Sequence, residues 1–185
     1  MPTKTWRSRE SSPRSPSTQS QPESDMAKMA RVVVPGLAQH VARRGNRRHR
    51  TSFGNEDFAA YRRSMGASCK GCGTCVRACC LTPNHVDSIM VPRSADGLRS
   101  AVAQAHRRHT RVINFREGWR DHLRRERLHA FVTDEQHLPA ARCCVERNPA
   151  RAGLCDRAQD WPWSSAQAHL RGANDEWVEL LRFWS

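Results

Sequence analysis

Three groups of side chains in this sequence have the types and spacing that chemistry needs. His85 and Asp87 stand two residues apart in the run NHVDSIMVP. A strand sends alternate side chains to opposite faces, so an imidazole and a carboxylate would project side by side. Both groups are ligands for a divalent cation. Cys69, Cys72, Cys75 and Cys79 follow the C-x2-C-x2-C-x3-C spacing that holds iron–sulfur clusters in bacterial ferredoxins, although Cys80 stands where a proline usually comes next. Cys144 and Asn148, four residues apart, share a face if their segment is a helix.

Local signals say which elements would position these groups. Pro83 fixes its own φ and drives Thr82 into an extended conformation, so residues 82–84 read as a turn joining a strand at 74–81 to a strand at 85–91. Upstream, a Pro-Gly turn precedes a first strand at 38–42. Asn55 is an N-cap for a helix over 56–65 that turns Phe58 and Tyr61 to the core, and residues 66–73 break it at glycines. Tyr61 is the only tyrosine in the chain, and its helical spacing beside Phe58 marks it as a core residue.

Asp96 caps a further helix over 96–114, in which Leu98, Val102, Ala105, His109 and Val112 repeat at helical spacing. Its opposite face carries Arg107, Arg108 and Arg111. Residues 128–132 read as a strand, and the capping-box pattern from Thr133 to Gln136 opens a helix that Pro149 ends. Residues 177–184 read as a last amphipathic turn or two.

Charge points to the partner. The chain has 31 Lys and Arg against 18 Asp and Glu, a net charge of +13, and all but three of the cations are arginine. A planar guanidinium matches phosphate oxygens, and no basic amphipathic helix dominates, so a nucleic acid is the expected polyanion ahead of a membrane. Five arginines fall between Arg43 and Arg50 (Arg43, Arg44, Arg47, Arg48 and Arg50), and residues 106–127 hold eight more against three acids. These two stretches are the expected phosphate contacts.

At 185 residues the chain supports one core. Residues 1–25 are rich in Ser, Pro and Arg with little to bury, so a disordered tail is expected there, and Met26 or Met29 would serve as alternative starts. No apolar run is long enough for a membrane span or an export signal, so the expected location is the cytoplasm and the eight cysteines are expected as thiols.

The run CCLTPNHVDSIMVP resembles the YCLMPNHVHLILVP pattern of the REP-associated tyrosine transposase branch of the single-tyrosine HUH transposases. The opening RVVVPGLAQHVARRGNRR is similar to that family's RVVVPGLPHHVTQRGNRR, and LRSAVAQAHRR, FREGWR, VERNP, RAGL and WPWSSAQAHL match in order, covering residues 30–172 with 173–185 as a tail. The resemblance implies an α+β fold, a ferredoxin-like antiparallel sheet with helices packed on one face, usually homodimeric. It also implies binding of hairpin-forming single-stranded DNA, and cleavage and transfer of strands by a helix-borne tyrosine with Mg²⁺ or Mn²⁺. On that template His85 is the first metal ligand, Asp87 replaces the second histidine, and Asn148 takes the third place. Cys144 stands at the tyrosine nucleophile, where a shorter thiol would not reach a phosphate placed for a phenol. Cys79 and His109 also stand where the family has tyrosine, Arg124 where it has tryptophan and Leu128 where it has phenylalanine. The resemblance therefore implies a copy whose catalysis is impaired, or a non-catalytic DNA-binding remnant, while the cysteine spacing keeps an iron–sulfur or zinc protein using Cys69, Cys72, Cys75 and Cys79 as the alternative.

Overall fold

The computed structural model describes residues 33–45, 50–52, 54–119, 129–175 and 177–179, with the backbone alone at Arg44. The expected tail at 1–25, Arg47, Arg48, Arg124, Leu128 and residues 180–185 lie outside the described residues.

The elements run β1 (Gln39–Arg44), α1 (Asn55–Gly71), β2 (Thr74–Thr82), β3 (His85–Pro92), α2 (Gly97–Glu117), β4 (His129–Val132), α3 (Leu138–Glu146), α4 (Asn148–Arg151) and α5 (Ala166–Arg171). The four strands form one antiparallel sheet in the order β2-β3-β1-β4. This is the split β-α-β arrangement of a ferredoxin-like α+β fold: β1 and β2 are joined through α1, and β3 is inserted between them. The expected turn at 82–84 is the hairpin that makes the insertion, with Thr82 paired to His85.

The two long helices cover one face. Phe58, Tyr61, Met65 and Cys69 of α1 and Leu98, Ala101, Val102 and Ala105 of α2 close over Val41, Val76, Leu81, Val86 and Met90 of the sheet. Burying such side chains contributes about 1.5–3 kcal/mol each. The short α3 adds a smaller cluster on the opposite face, where Val145 meets Ala78, Cys80 and Ile89. Odd-numbered positions of β3 therefore look toward α3, and even-numbered ones toward α1 and α2.

Several boundaries differ from expectation for physical reasons. Helix α1 does not stop at Met65 but runs through Gly66 to Gly71. A glycine inside a helix costs about 1 kcal/mol, less than the burial gained by Ser68 and Cys69 on the continuing inner face. The chain turns instead at Gly73, whose φ of 60° is left-handed. In α2, Ile113 follows His109 into the core, while Val112, turned about 100° away, is 52% exposed.

The capping box at Thr133 does not form. A helix from 134 would carry Pro139 in its interior, so α3 begins at Leu138 with the proline in its first turn. Asp134 instead closes the turn ahead of the helix: its Oδ1 accepts the backbone N–H of His137 at 2.8 Å. Pro149 likewise lies in the first turn of α4, so α3 already ends at Glu146 and Asn148 opens a separate helix.

The outer edge of β2 is covered. Ser165 exchanges hydrogen bonds with Cys79, Leu81 donates to the Trp163 carbonyl at 2.8 Å, and Trp161 Nε1 donates to the Leu81 carbonyl at 2.7 Å. Further along, Glu179 donates to the Val76 carbonyl, and Trp177 and Val178 are buried in the main core. The WPWSS segment and residues 177–179 thus close an edge that would otherwise invite another strand.

Candidate metal centre and nucleic-acid face

Asp87 sits in the middle of the sheet between two small neighbours, Ala42 on β1 and Cys80 on β2. Its side chain faces α3, as does that of His85 at the start of the same strand. The third member arrives from α4. Val145 anchors α3 on the sheet, and Glu146 is held by Ser165 Oγ at 2.7 Å and His169 Nδ1 at 2.5 Å. The chain then turns at Arg147 and delivers Asn148 onto the strand pair.

The three side chains converge. His85 Nδ1 lies 3.2 Å from Asp87 Oδ2, and Asn148 Nδ2 lies 3.4 Å from His85 Nδ1 while donating to Asp87 Oδ2. The other carboxylate oxygen, Asp87 Oδ1, is buried with no hydrogen-bond partner among the described residues. A buried carboxylate oxygen without a hydrogen bond is costly, and a cation would satisfy it. An imidazole nitrogen, a carboxylate and an amide that can offer its oxygen form a mixed set that suits Mn²⁺ and accommodates Mg²⁺. The residues present therefore fit the divalent ion that the resemblance implies.

His40 on β1 joins this group without any cue from motif spacing. Its Nε2 lies 3.6 Å from Asp87 Oδ1, and it too has no hydrogen-bond partner among the described residues. The one signal in the sequence is a polar residue in the first strand. Its meaning depends on the register that sets it beside Ile89, one diagonal step from Asp87.

The ferredoxin-like cysteine spacing does not gather round one point. Cys69 ends on α1, Cys72 lies at its C-cap, and Cys75 and Cys79 are four residues apart along β2, roughly 13 Å at the rise of an extended strand. Among the described residues no group of three or more His, Cys, Asp or Glu is disposed to hold a metal, so the cysteines make none and the His85–Asp87 pair depends on the Asn148 amide for a third donor. All eight cysteines are free. Burial pushes the Cys69 thiol up to about 12, and it raises those of Cys79 and Cys80 well above their ordinary range. These are packed thiols rather than exposed ligands.

Cys144 is exposed on α3, with Arg151 Nη1 3.7 Å from its sulfur. The single tyrosine is far from that role. Tyr61 is 1% exposed in the main core, its hydroxyl 2.7 Å from His106 Nε2.

Gly45 and Thr51, on either side of the first basic stretch, and His109 of α2 meet at one end of the sheet. Gly45, just past β1, donates to the Asn84 carbonyl at 2.8 Å, and Thr51 donates to the Pro83 carbonyl at 2.6 Å. The Thr51 carbonyl in turn lies 2.7 Å from His109 Nε2 on α2. Arg50, Arg107, Arg108 and Arg111 are exposed, and none makes an ion pair with a described residue. Arg43 is half-buried at the end of β1. Arg116 is committed elsewhere, donating to both carboxylate oxygens of Asp57 at 2.6 and 3.0 Å.

Fold and site together define a ferredoxin-like α+β domain with a His-Asp-Asn cluster on one sheet face and exposed arginines on α2, which packs on the other. No family model matches the sequence, and no curated protein matches it. Among solved structures the chain is similar to a REP-associated tyrosine transposase bound to a REP hairpin, at 17% identity over 86% of this chain and 96% of that one, with a TM-score of 0.67. It is also similar, more loosely, to a candidate transposase from Deinococcus radiodurans R1, at 18% identity over 61% of this chain and 90% of that one, with a TM-score of 0.46. This chain has the fold of the REP-associated tyrosine transposase. Among its described residues no helix is long and apolar enough to cross a membrane.

Proposed function

We propose that this chain is a transposase-like protein that binds hairpin-forming single-stranded DNA next to a divalent cation and does not transfer strands through a phosphotyrosine. The observation that carries the reading is the convergence of His85, Asp87 and Asn148 from a strand and a separate helix, with Asp87 Oδ1 buried, hydrogen-bonded to no described residue and 3.6 Å from His40 Nε2. The fold it shares with a transposase bound to a REP hairpin supports the choice of DNA, as does the net charge of +13.

A divalent ion bound there would draw charge from the oxygens of a nearby phosphate. The chain's own residues do the rest. His85, Asp87 and Asn148 hold the ion, and Arg50, Arg107, Arg108 and Arg111 neutralise the backbone on either side, with Arg43, Arg44, Arg47 and Arg48 in the same basic segment. What is lacking is a phenol, because Tyr61 is locked in the core on the opposite face of the sheet. The exposed Cys144 offers a shorter side chain whose sulfur lies beside Arg151. A homodimer belongs to the same reading, and light scattering would return twice the chain mass if it holds.

Mn²⁺ titration followed by electron paramagnetic resonance, together with anisotropy of a labelled DNA hairpin, tests the proposal. Expected are one bound Mn²⁺, absent in Asp87→Asn, and retention of the hairpin uncut. A denaturant-stable DNA adduct through Cys144 would overturn the non-catalytic part. Failure to bind either Mn²⁺ or hairpin would overturn the whole, and purified protein carrying iron would favour the cysteine cluster instead.

A further inference from the structure

Helix α2 carries an aromatic feature that neither the core nor the metal centre uses. Arg108, Arg111, Val112 and Phe115 follow the spacing i, i+3, i+4, i+7 and so share one face. All four are exposed, and Phe115 is 91% exposed, an unusual state for a phenylalanine. The helix ends at Gly118, whose φ of 66° is left-handed, and the chain folds back so that Trp119 N–H donates to the Asn114 carbonyl at 2.9 Å. Trp119 is itself 43% exposed just beyond that cap. Two aromatic side chains therefore follow two guanidinium groups along one short stretch of surface.

We infer that this face of α2 is a stacking platform for unpaired bases of single-stranded DNA, with Phe115 as its principal ring and Arg108 and Arg111 on the adjoining phosphates. The inference rests on the DNA-binding reading above and adds how the strand is recognised. Nucleic-acid bases stack on aromatic faces whatever their sequence, while arginines beside them track the backbone. A duplex keeps its bases stacked inside, so such a platform selects single strands. The charge complementarity is local as well as global, because Arg107, Arg108 and Arg111 make no ion pair with any described residue. The position fits too. His109, within the same helix turn, is tied through Thr51 and Pro83 to the hairpin that begins the His85 strand.

The test measures anisotropy of two labelled single-stranded oligonucleotides of equal length, one with bases and one abasic throughout, against the full chain and three variants. Phe115→Ala should weaken binding of the base-containing strand by about tenfold or more and leave the abasic strand unchanged. Phe115→Trp should restore the wild-type preference. Arg108→Ala with Arg111→Ala should weaken both strands alike and lower the salt dependence. Equal weakening on both strands in Phe115→Ala, or none on either, would overturn the platform while leaving the DNA-binding reading in place. If the wild-type chain binds neither strand, both readings fall. A dimer that Phe115→Ala converts to monomer, with DNA affinity unchanged, would show a protein interface instead and overturn the platform. Because Phe115 is almost wholly exposed, its replacement should leave the circular dichroism and melting of the protein as they were.

Discussion

His109 Nε2 lies 2.7 Å from the carbonyl oxygen of Thr51, tying the middle of α2 to the segment that follows β1. A carbonyl can only accept, so the imidazole is the donor and the bond fixes its tautomer. This hydrogen bond joins the segment that carries Arg50 to the helix that carries Arg107, Arg108 and Arg111, more than fifty residues further on.

Replacing His109 by leucine should leave that carbonyl unpaired at a buried position, costing about 1–3 kcal/mol. Urea denaturation would report the destabilisation, and amide exchange near residues 50–52 should speed up. DNA affinity should fall as well, because Arg50 is no longer held against α2. Unchanged affinity would mean that the two patches act separately.

The proposed metal centre predicts a graded response. Asp87→Asn and Asn148→Ala should each weaken Mn²⁺ binding at least tenfold, since even outer-shell partners of ligands commonly contribute that much. His40→Ala should have a smaller effect, and His40→Gln, which keeps a donor near Asp87 Oδ1, smaller still. Calorimetric Mn²⁺ titration of the four variants distinguishes ligands from the residue beside them.

Salt dependence predicts how many arginines touch phosphate. For each of Arg50, Arg107, Arg108 and Arg111 that neutralises a phosphate of a single strand, replacement by alanine should reduce the slope of log affinity against log salt by about 0.7. Arg116→Ala should leave that slope alone and instead lower stability, because Arg116 is held by Asp57.

Gly97 predicts a packing penalty. A Cβ there would stand 2.9 Å from the backbone carbonyl oxygen of Cys72 and 3.1 Å from Thr74 Oγ1. Backbone cannot yield as a flexible side chain would, so Gly97→Ala should destabilise the protein by about 1–3 kcal/mol, measured by chemical denaturation.

The thiols predict both labelling and pH behaviour. Cys143 and Cys144 are exposed and should alkylate quickly in the native protein, whereas Cys69, Cys79 and Cys80 are buried and should not. Burial raises the pKa of these three in the folded state above the ordinary 9.0. Above that pH the unfolded chain releases their protons and the folded chain keeps them, so stability should decline as pH rises past about 9. Mass spectrometry after brief alkylation checks the first expectation, and denaturation at a series of alkaline pH values the second.

Much of this protein is legible without coordinates. Alternation and a proline place the His85 strand and its hairpin, because those constraints act within a few residues. Helical spacing puts Tyr61 in the core for the same reason, and the exposed placement of Arg107, Arg108 and Arg111 follows from the apolar face opposite them. The ends of α1 and α3 escape such reasoning, because burial outweighs a glycine's local preference in the one and Pro139 outweighs a capping pattern in the other.

What tertiary structure alone decided is which distant groups meet. Asn148 reaches Asp87 because Val145 packs on the sheet and Glu146 is anchored by the WPWSS segment, and neither interaction is written in the spacing of residues near 148. His40 acquires its place beside Asp87 only through strand register, and the segment that carries Arg50 meets α2 only through Thr51 and His109. Local patterns dictate what each short segment can become. The burial of one segment against another dictates which side chains share a site, and that is a property of the whole chain.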